Sequence, residues 1–413
     1  LKARNSLASL AIPALLAAVA TAFACSSSDV DEPGGNAGVA GVGVAGTGGA
    51  GAGAAGAGDA GRDGGGSAGV AAGGTAGSDV AGATGAGAAG EENAAGESGS
   101  NAGAGGIADS EPQILELSGA ITDVHDPQIA KDGDTYYLFS TGQGVQIRTS
   151  SDLKSWQTAG QVFASKPAWI TTTGSAQPNL LWAPEVRYFG GTFHLYYSAS
   201  KFGSNQSCIG HATKASLASA DNWADLGAAF CSNMEGPPAP SQDFNAIDGS
   251  PFQDQEGKLW LPFGSFWSGL KMLRLDEDGK TSGPDLFSLA TRPNTAVEAP
   301  HLFYHDGYYF LFESVDSCCQ GSQSTYKIMV GRSTDVTGPY LDQSGVLLSA
   351  GGGTLLLKGG VRWRGPGHNA ILQDGSRYLN IYHSYDADRG GVPTLRISEL
   401  TWSEDNWPIS AGP

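Results

Sequence analysis

The chain has 413 residues, with 23 Lys and Arg against 41 Asp and Glu, a formal net charge of −18, and 63 glycines. No basic cluster is present, which argues against a nucleic-acid binder, since that binding is dominated by Lys and Arg on phosphate. The acidity reads as a solubility device. Residues 26–112 contain no aromatic residue and only Arg62 as a base, whereas aromatics recur every few positions from Tyr136 onward. Only that second material can offset the entropy of ordering the chain, which leaves about 300 residues for one large domain.

Lys2 and Arg4 precede an apolar run over residues 7–23. The run is too short and Ala-rich for a membrane span and suits the core of a signal peptide over residues 1–24. Ala22 and Ala24 fit a cleavage site that makes Cys25 the first mature residue. A cysteine there resembles the lipid-attachment site of bacterial lipoproteins, with Ala22 in place of the usual larger aliphatic residue. The expectation is an exported protein, held at the outer membrane or cell surface through a lipid on Cys25; simple secretion is the alternative. Residues 25–112 then read as a disordered Gly/Ala-rich tether, spanning roughly 50 Å as a flexible coil.

From residue 113 to 413 one small unit recurs five times: a turn containing Gly, then an alternating aromatic and aliphatic strand, then a further short strand. The turns are Asp132-Gly133, Gly190-Gly191, Glu256-Gly257, Asp306-Gly307 and Asp374-Gly375, with second glycines 58, 66, 50 and 68 residues apart. Period-2 patterns bounded by Gly and Asp turns are hairpin signals, and long helical periodicity is absent. Units of this length with about four strands each predict an all-β chain folded as a five-bladed β-propeller.

In a propeller the starts of the blades converge on a central channel, so acids just before the hairpins are candidates for chemistry. Three stand there: Asp126 in His125-Asp126-Pro127, Asp248 in Asn245-Ala246-Ile247-Asp248-Gly249, and Glu298 in Val297-Glu298-Ala299-Pro300. Glu185, in Trp182-Ala183-Pro184-Glu185, takes the equivalent place in blade two. Burial beside Pro, Gly and apolar neighbours raises carboxyl pKa values. Paired carboxyl groups, one protonated and one ionised, are what glycoside hydrolysis requires. The competing account is that these acids cap turns.

These motifs, with Gly264-Ser265-Phe266-Trp267-Ser268-Gly269, Cys318-Cys319, Ser324-Thr325-Tyr326-Lys327-Ile328 and Gly365-Pro366-Gly367-His368-Asn369, resemble glycoside hydrolase family 43 and, within it, the endo-1,5-α-L-arabinanases. The resemblance covers residues 114–413. It implies hydrolysis of arabinan with inversion: Asp126 as general base, Glu298 as general acid, and Asp248 orienting that acid and raising its pKa. It also implies a sugar site at Trp182, Phe202, Gly203, Asn245, Ala246, Ile247, Asp248, Ser265, Phe266, Trp267 and Asp126. Core packing is the competing account of Trp182, Phe266 and Trp267. His368 matches a metal-ligating histidine of the family, with calcium as the expected ion, water as most of its shell, and no organic cofactor. The expected partner is arabinan or its oligosaccharides as substrate, and the expected form of the protein is a monomer.

Two rivals stand beside this reading. One is an exo-acting α-L-arabinofuranosidase or β-xylosidase of the same family, and the other is a non-catalytic carbohydrate-binding propeller, which predicts loss of at least one of the three acids. With Cys25 set aside, four cysteines are left. Cys208 and Cys231 lie in the same predicted blade and can pair across it; for the adjacent Cys318 and Cys319, a strained bridge and two free thiols are both open.

Overall fold

A computed structural model describes residues 111–170, 179–232, 243–293 and 295–413. The expected signal peptide, Cys25 and the tether lie outside these residues. Five antiparallel sheets succeed one another along the chain among the described residues, and each takes its four main strands from one contiguous stretch. Their innermost strands are Gln128–Asp132, Leu180–Phe189, Phe252–Gln253, Val297–His305 and Trp363–Asp374. The second strands, Thr135–Ser140, Thr192–Ser200, Leu259–Phe263, Tyr308–Val315 and Arg377–Asp386, are the ones the turn signals predicted. Each predicted turn carries its second Gly at positive φ, between 60° and 85°, a backbone that residues with a Cβ adopt only at a cost.

The blades are held together by what lies between them. The core resolves into five clusters, one for each seam. Phe139, Val186 and Tyr197 join blades one and two, and Tyr196, Leu261 and Phe263 join two and three. Met272, Leu302 and Leu311 join three and four, while Phe312, Val330 and Tyr382 join four and five. Leu115, Val124, Leu138, Leu379 and Ile397 close the ring between five and one. Alternating side chains of each strand supply the two faces of a blade, so period-2 patterning fills two seams at once.

Closure does not use a strand exchanged between first and last blades, because blade five takes all four of its strands from residues 363–410. Instead residues 113–124 lie along the third strand of blade five, Val392–Trp402. Leu115 N–H donates to Ile397 O at 2.9 Å, Leu395 N–H to Ile121 O at 2.8 Å, and Val124 N–H to Pro393 O at 3.2 Å. In passing, Ser118 and Gly119 pair in parallel with Ser155 and Trp156 on the outer strand of blade one. One segment thus clasps both sides of the last seam.

Candidate active site

The innermost strands do not run straight at the channel end. Blade two breaks register between Trp182 and Glu185, blade four between Glu298 and His301, and blade five between Arg364 and Ala370. Each blade places one non-glycine residue there at positive φ: Asp126 (51°), Ala183 (42°), Asp248 (58°), Ala299 (55°) and His368 (50°). Such a backbone costs about 1–2 kcal/mol for a residue with a Cβ. Five kinks at matching positions re-aim the side chains beside them. Three of the five kinked residues are ones the sequence singled out, and Glu298 immediately precedes a fourth.

This corrects the position of Glu185. The residue of blade two equivalent to Asp126 is Ala183, and Glu185 lies two residues further along, level with Gln128, Ser250 and His301. Its partners are Arg187 at 3.1 Å and His301 at 3.7 Å. Burial, opposed by Arg187, raises its carboxyl to about 7.

Asp126 is the most heavily held of the acids. Its Oδ1 meets His125 Nδ1 at 2.8 Å and His368 Nδ1 at 3.1 Å. Its Oδ2 accepts from Thr141 Oγ1, which itself accepts from Ala183 N–H at 2.8 Å. Burial works against the charge, but His125 and His368 outweigh it, and the carboxyl is held well below its usual range.

Glu298 is treated in the opposite way. Tyr326 OH donates to Oε1 at 2.8 Å and Ser265 Oγ to Oε2 at 3.0 Å. Burial overrides both and raises its pKa. Tyr326 can stand there because position 367 is glycine: a Cβ on Gly367 would lie 2.0 Å from the Tyr326 ring. Asp248 accepts from Ala299 N–H at 3.1 Å, which ties it to the peptide just after Glu298. Burial, opposed by His368 and reinforced by the charges of Glu298 and Asp126, pushes Asp248 up to about 8. One channel therefore holds one carboxyl drawn below its usual range and two pushed above theirs, the opposed tuning that sorts a general base from a general acid.

His368 bears on the expected calcium. It donates Nδ1–H to a carboxylate, the arrangement that orients metal-ligating histidines and leaves Nε2 for the ion. The fit is to a single nitrogen donor: calcium prefers six to eight oxygens, so water would complete the shell. Burial disfavours the imidazolium, yet Asp126 and the other acids raise His368 to about 9, so an ion would have to displace the Nε2 proton in order to bind.

The predicted sugar-contacting residues divide in two. Phe202, Phe266 and Trp267 are exposed, by 83, 51 and 49 %, which answers the core-packing account of the last two. Phe266 N–H donates to Val297 O at 2.9 Å, and Ser265 bridges to Glu298, so this aromatic pair adjoins the acid. Gly203 follows Phe202 in its turn at φ 75°. Trp182 is half-buried on the kinked strand of blade two. Asn245, Ala246 and Ile247 are buried, with Asn245 Oδ1 accepting from Ser207 and Ala246 N–H donating to Ser232 Oγ at 2.9 Å. Those three fix the loop that carries Asp248.

Sequence reasoning assigned no role to Thr141, Tyr326, His301, His383 or Tyr385. His301, His383 and Tyr385 stand in alternating strands, and Tyr326 directly precedes one, so in sequence they look like core. Cys208 and Cys231 are bonded across neighbouring strands of blade two, and Cys318 is bonded to Cys319, so neither pair is free.

The family model described as Glycosyl hydrolases family 43 matches residues 120–408, which span all five blades. The chain belongs to that family. It is 41 % identical over 291 residues to the extracellular endo-α-(1→5)-L-arabinanase 1 of Bacillus subtilis, covering 69 % of this chain and 87 % of that one. It is also 40 % identical to the extracellular exo-α-(1→5)-L-arabinofuranosidase ArbA of Cellvibrio japonicus, covering 69 % of this chain and 86 % of that one. The solved family 43 endo-arabinanase of Bacillus licheniformis superposes with a TM-score of 0.66 at 43 % identity, over 71 % of this chain and 99 % of that one. This family 43 chain is thus a glycoside hydrolase of the arabinanase group, and relatives of both endo and exo description match it almost equally.

Proposed function

We propose that the protein cleaves internal α-1,5 links of arabinan with inversion. Asp126 takes a proton from the attacking water, and Glu298 gives one to the departing sugar oxygen. Asp248 holds the peptide after Glu298, and a charge on either of these two acids opposes ionisation of the other. The observation that carries this is the opposite treatment of two acids within one buried channel, with two histidines on Asp126 favouring its ionised form while burial pushes Glu298 toward its acid form. An inverting pair stands about 6.5–9.5 Å apart, leaving room for the water. The exposed Phe266-Trp267 shelf beside Glu298 supports internal cleavage, because an open aromatic surface accepts a chain lying across it.

A calcium ion held by His368 with water as its remaining shell belongs to this reading; when bound it supplies positive charge near the carboxyl groups. His368 itself keeps Asp126 oriented and ionised. We also propose export, with a lipid on Cys25 as the anchor, and a monomer as the working form; the extracellular descriptions of both relatives support export.

The test is a time course of products from linear debranched arabinan. The unaltered protein is expected to give a ladder of short oligosaccharides, and Glu298→Ala to lose roughly 10²–10⁴-fold in rate. NMR of the first product should show the inverted anomer. Arabinose alone from the first minutes would instead establish the exo-acting reading that the Cellvibrio relative's description favours. No product from arabinan or xylan would return the non-catalytic propeller.

A further inference from the structure

Behind the carboxylate of Asp126 lies a chain of hydrogen bonds leading to the Cys318-Cys319 pair. His125 Nδ1 stands 2.8 Å from Asp126 Oδ1. His125 Nε2 stands 2.7 Å from Tyr385 OH, and that hydroxyl accepts from Cys319 N–H at 2.9 Å. The His125 ring is fixed in plane as well, stacked on His383 with centroids 4.0 Å apart, while His383 Nδ1 accepts the backbone N–H of Asp126 at 3.2 Å.

Donors and acceptors along this chain can be assigned. A backbone N–H can only donate, so Cys319 occupies one lone pair of Tyr385 oxygen. The Ser324 hydroxyl also bonds Tyr385, in the sense that favours the phenolate and so as a donor, which leaves the tyrosine's one proton two acceptors, His125 Nε2 and the Cys318 sulfur at 3.4 Å. A disulfide sulfur is the weaker acceptor, so the proton goes to Nε2. That leaves the neutral imidazole with its own proton on Nδ1, facing the carboxylate. The other neutral tautomer would set a lone pair against Asp126 Oδ1 at hydrogen-bond distance, which is repulsive.

The geometry points to Tyr385 and His125 as positioning residues for the base: Tyr385, anchored by the Cys319 peptide, selects the His125 tautomer that donates to Asp126 and aims its carboxylate at water. The inference rests on the reading of Asp126 as general base. Neither residue exchanges a proton with substrate. Their effect is on how much of the protein has the base correctly oriented, and so on kcat rather than on sugar binding.

The experiment measures kcat and KM on debranched arabinan for Tyr385→Phe, His125→Asn, His125→Leu and the Tyr385→Phe/His125→Asn double variant, with thermal melting as a check on folding. Tyr385 is buried and Phe keeps its ring, while Cys319 is exposed enough for water to take its N–H. Tyr385→Phe is expected to lower kcat about tenfold with KM unchanged. His125→Leu is expected to lose about a hundredfold. His125→Asn restores a donor near the place of Nδ1 and should recover about tenfold of that loss. Because an amide has no tautomer to select, adding Tyr385→Phe to His125→Asn should cost nothing more. An equal Tyr385→Phe loss in both backgrounds overturns the relay, as does a raised KM at unchanged kcat. Asp126→Asn separates the two levels: if it stays active, the base assignment itself has failed, and if it is inactive while the Tyr385 loss is additive, only the relay has.

Discussion

Tyr326 is where one hydrogen bond can be weighed against burial. Its hydroxyl donates to Glu298 and so favours the ionised carboxylate, while desolvation favours the acid and wins. Removing the hydroxyl in Tyr326→Phe should raise the pKa of Glu298 further. A general acid is lost as pH rises through its pKa, so the alkaline limb of kcat/KM should move up by about one pH unit. An unmoved limb would mean that another group titrates there. The acids themselves were legible in the sequence because each stands beside a Pro, a Gly or an x-Pro step, signals of a chain breaking from its strand. Tyr326 and Tyr385 were not, since an aromatic in or just before an alternating strand serves core and site equally well. Thr141 gave no signal at all, because its importance comes from reaching across to Asp126 from a neighbouring turn.

At the level of strands, His194 and His211 show how a blade can carry a liability away from its chemistry. They stand on adjacent strands of blade two, both buried, with Nδ1 of one 2.9 Å from Nε2 of the other. Burial pushes His194 down to about 4 and His211 to about 3. An unfolded histidine titrates near 6.5, so below that pH the unfolded chain binds protons that the folded one refuses. The stability of the neutral pair is complete above about pH 6.5 and is lost as pH falls toward 4. His211→Gln keeps a hydrogen-bonding group that cannot be protonated. Its Tm relative to the unaltered protein should therefore improve steadily from pH 7 to pH 4.5; a constant gap would show that the pair does not govern acid stability. Strand positions were readable from turn glycines and alternation, whereas the kinks were not. The register breaks carry a positive φ at Ala183, Ala299 and His368, and nothing in residue type announces one; this is why Glu185 was aligned with the other acids.

For the whole ring the decisive contact is the seam between blades five and one, closed by residues 113–124. Leu115 is buried there with Leu395 and Ile397. Leu115→Ala should cost about 2–3 kcal/mol and lower Tm by several degrees. Hydrogen exchange should show the Leu395 and Glu399 amides, which donate to Ile121 and Gln113, losing protection before those in the middle strands of blade three. Simultaneous loss everywhere would mean that the ring opens at no preferred place.

The five kinks have a consequence for the polarity of the substrate. As a frame they are nearly five-fold alike, yet the proposed base on blade one and the proposed acid on blade four would define a chord across the channel rather than its axis. Blade five, with His368, lies on one side of that chord, and blades two and three lie on the other. The departing end of the sugar chain must face blade four and the attacked carbon must present its far side to blade one. With the proposed base and acid on opposite sides of the channel, a nearly symmetric ring would read its polymer in one direction.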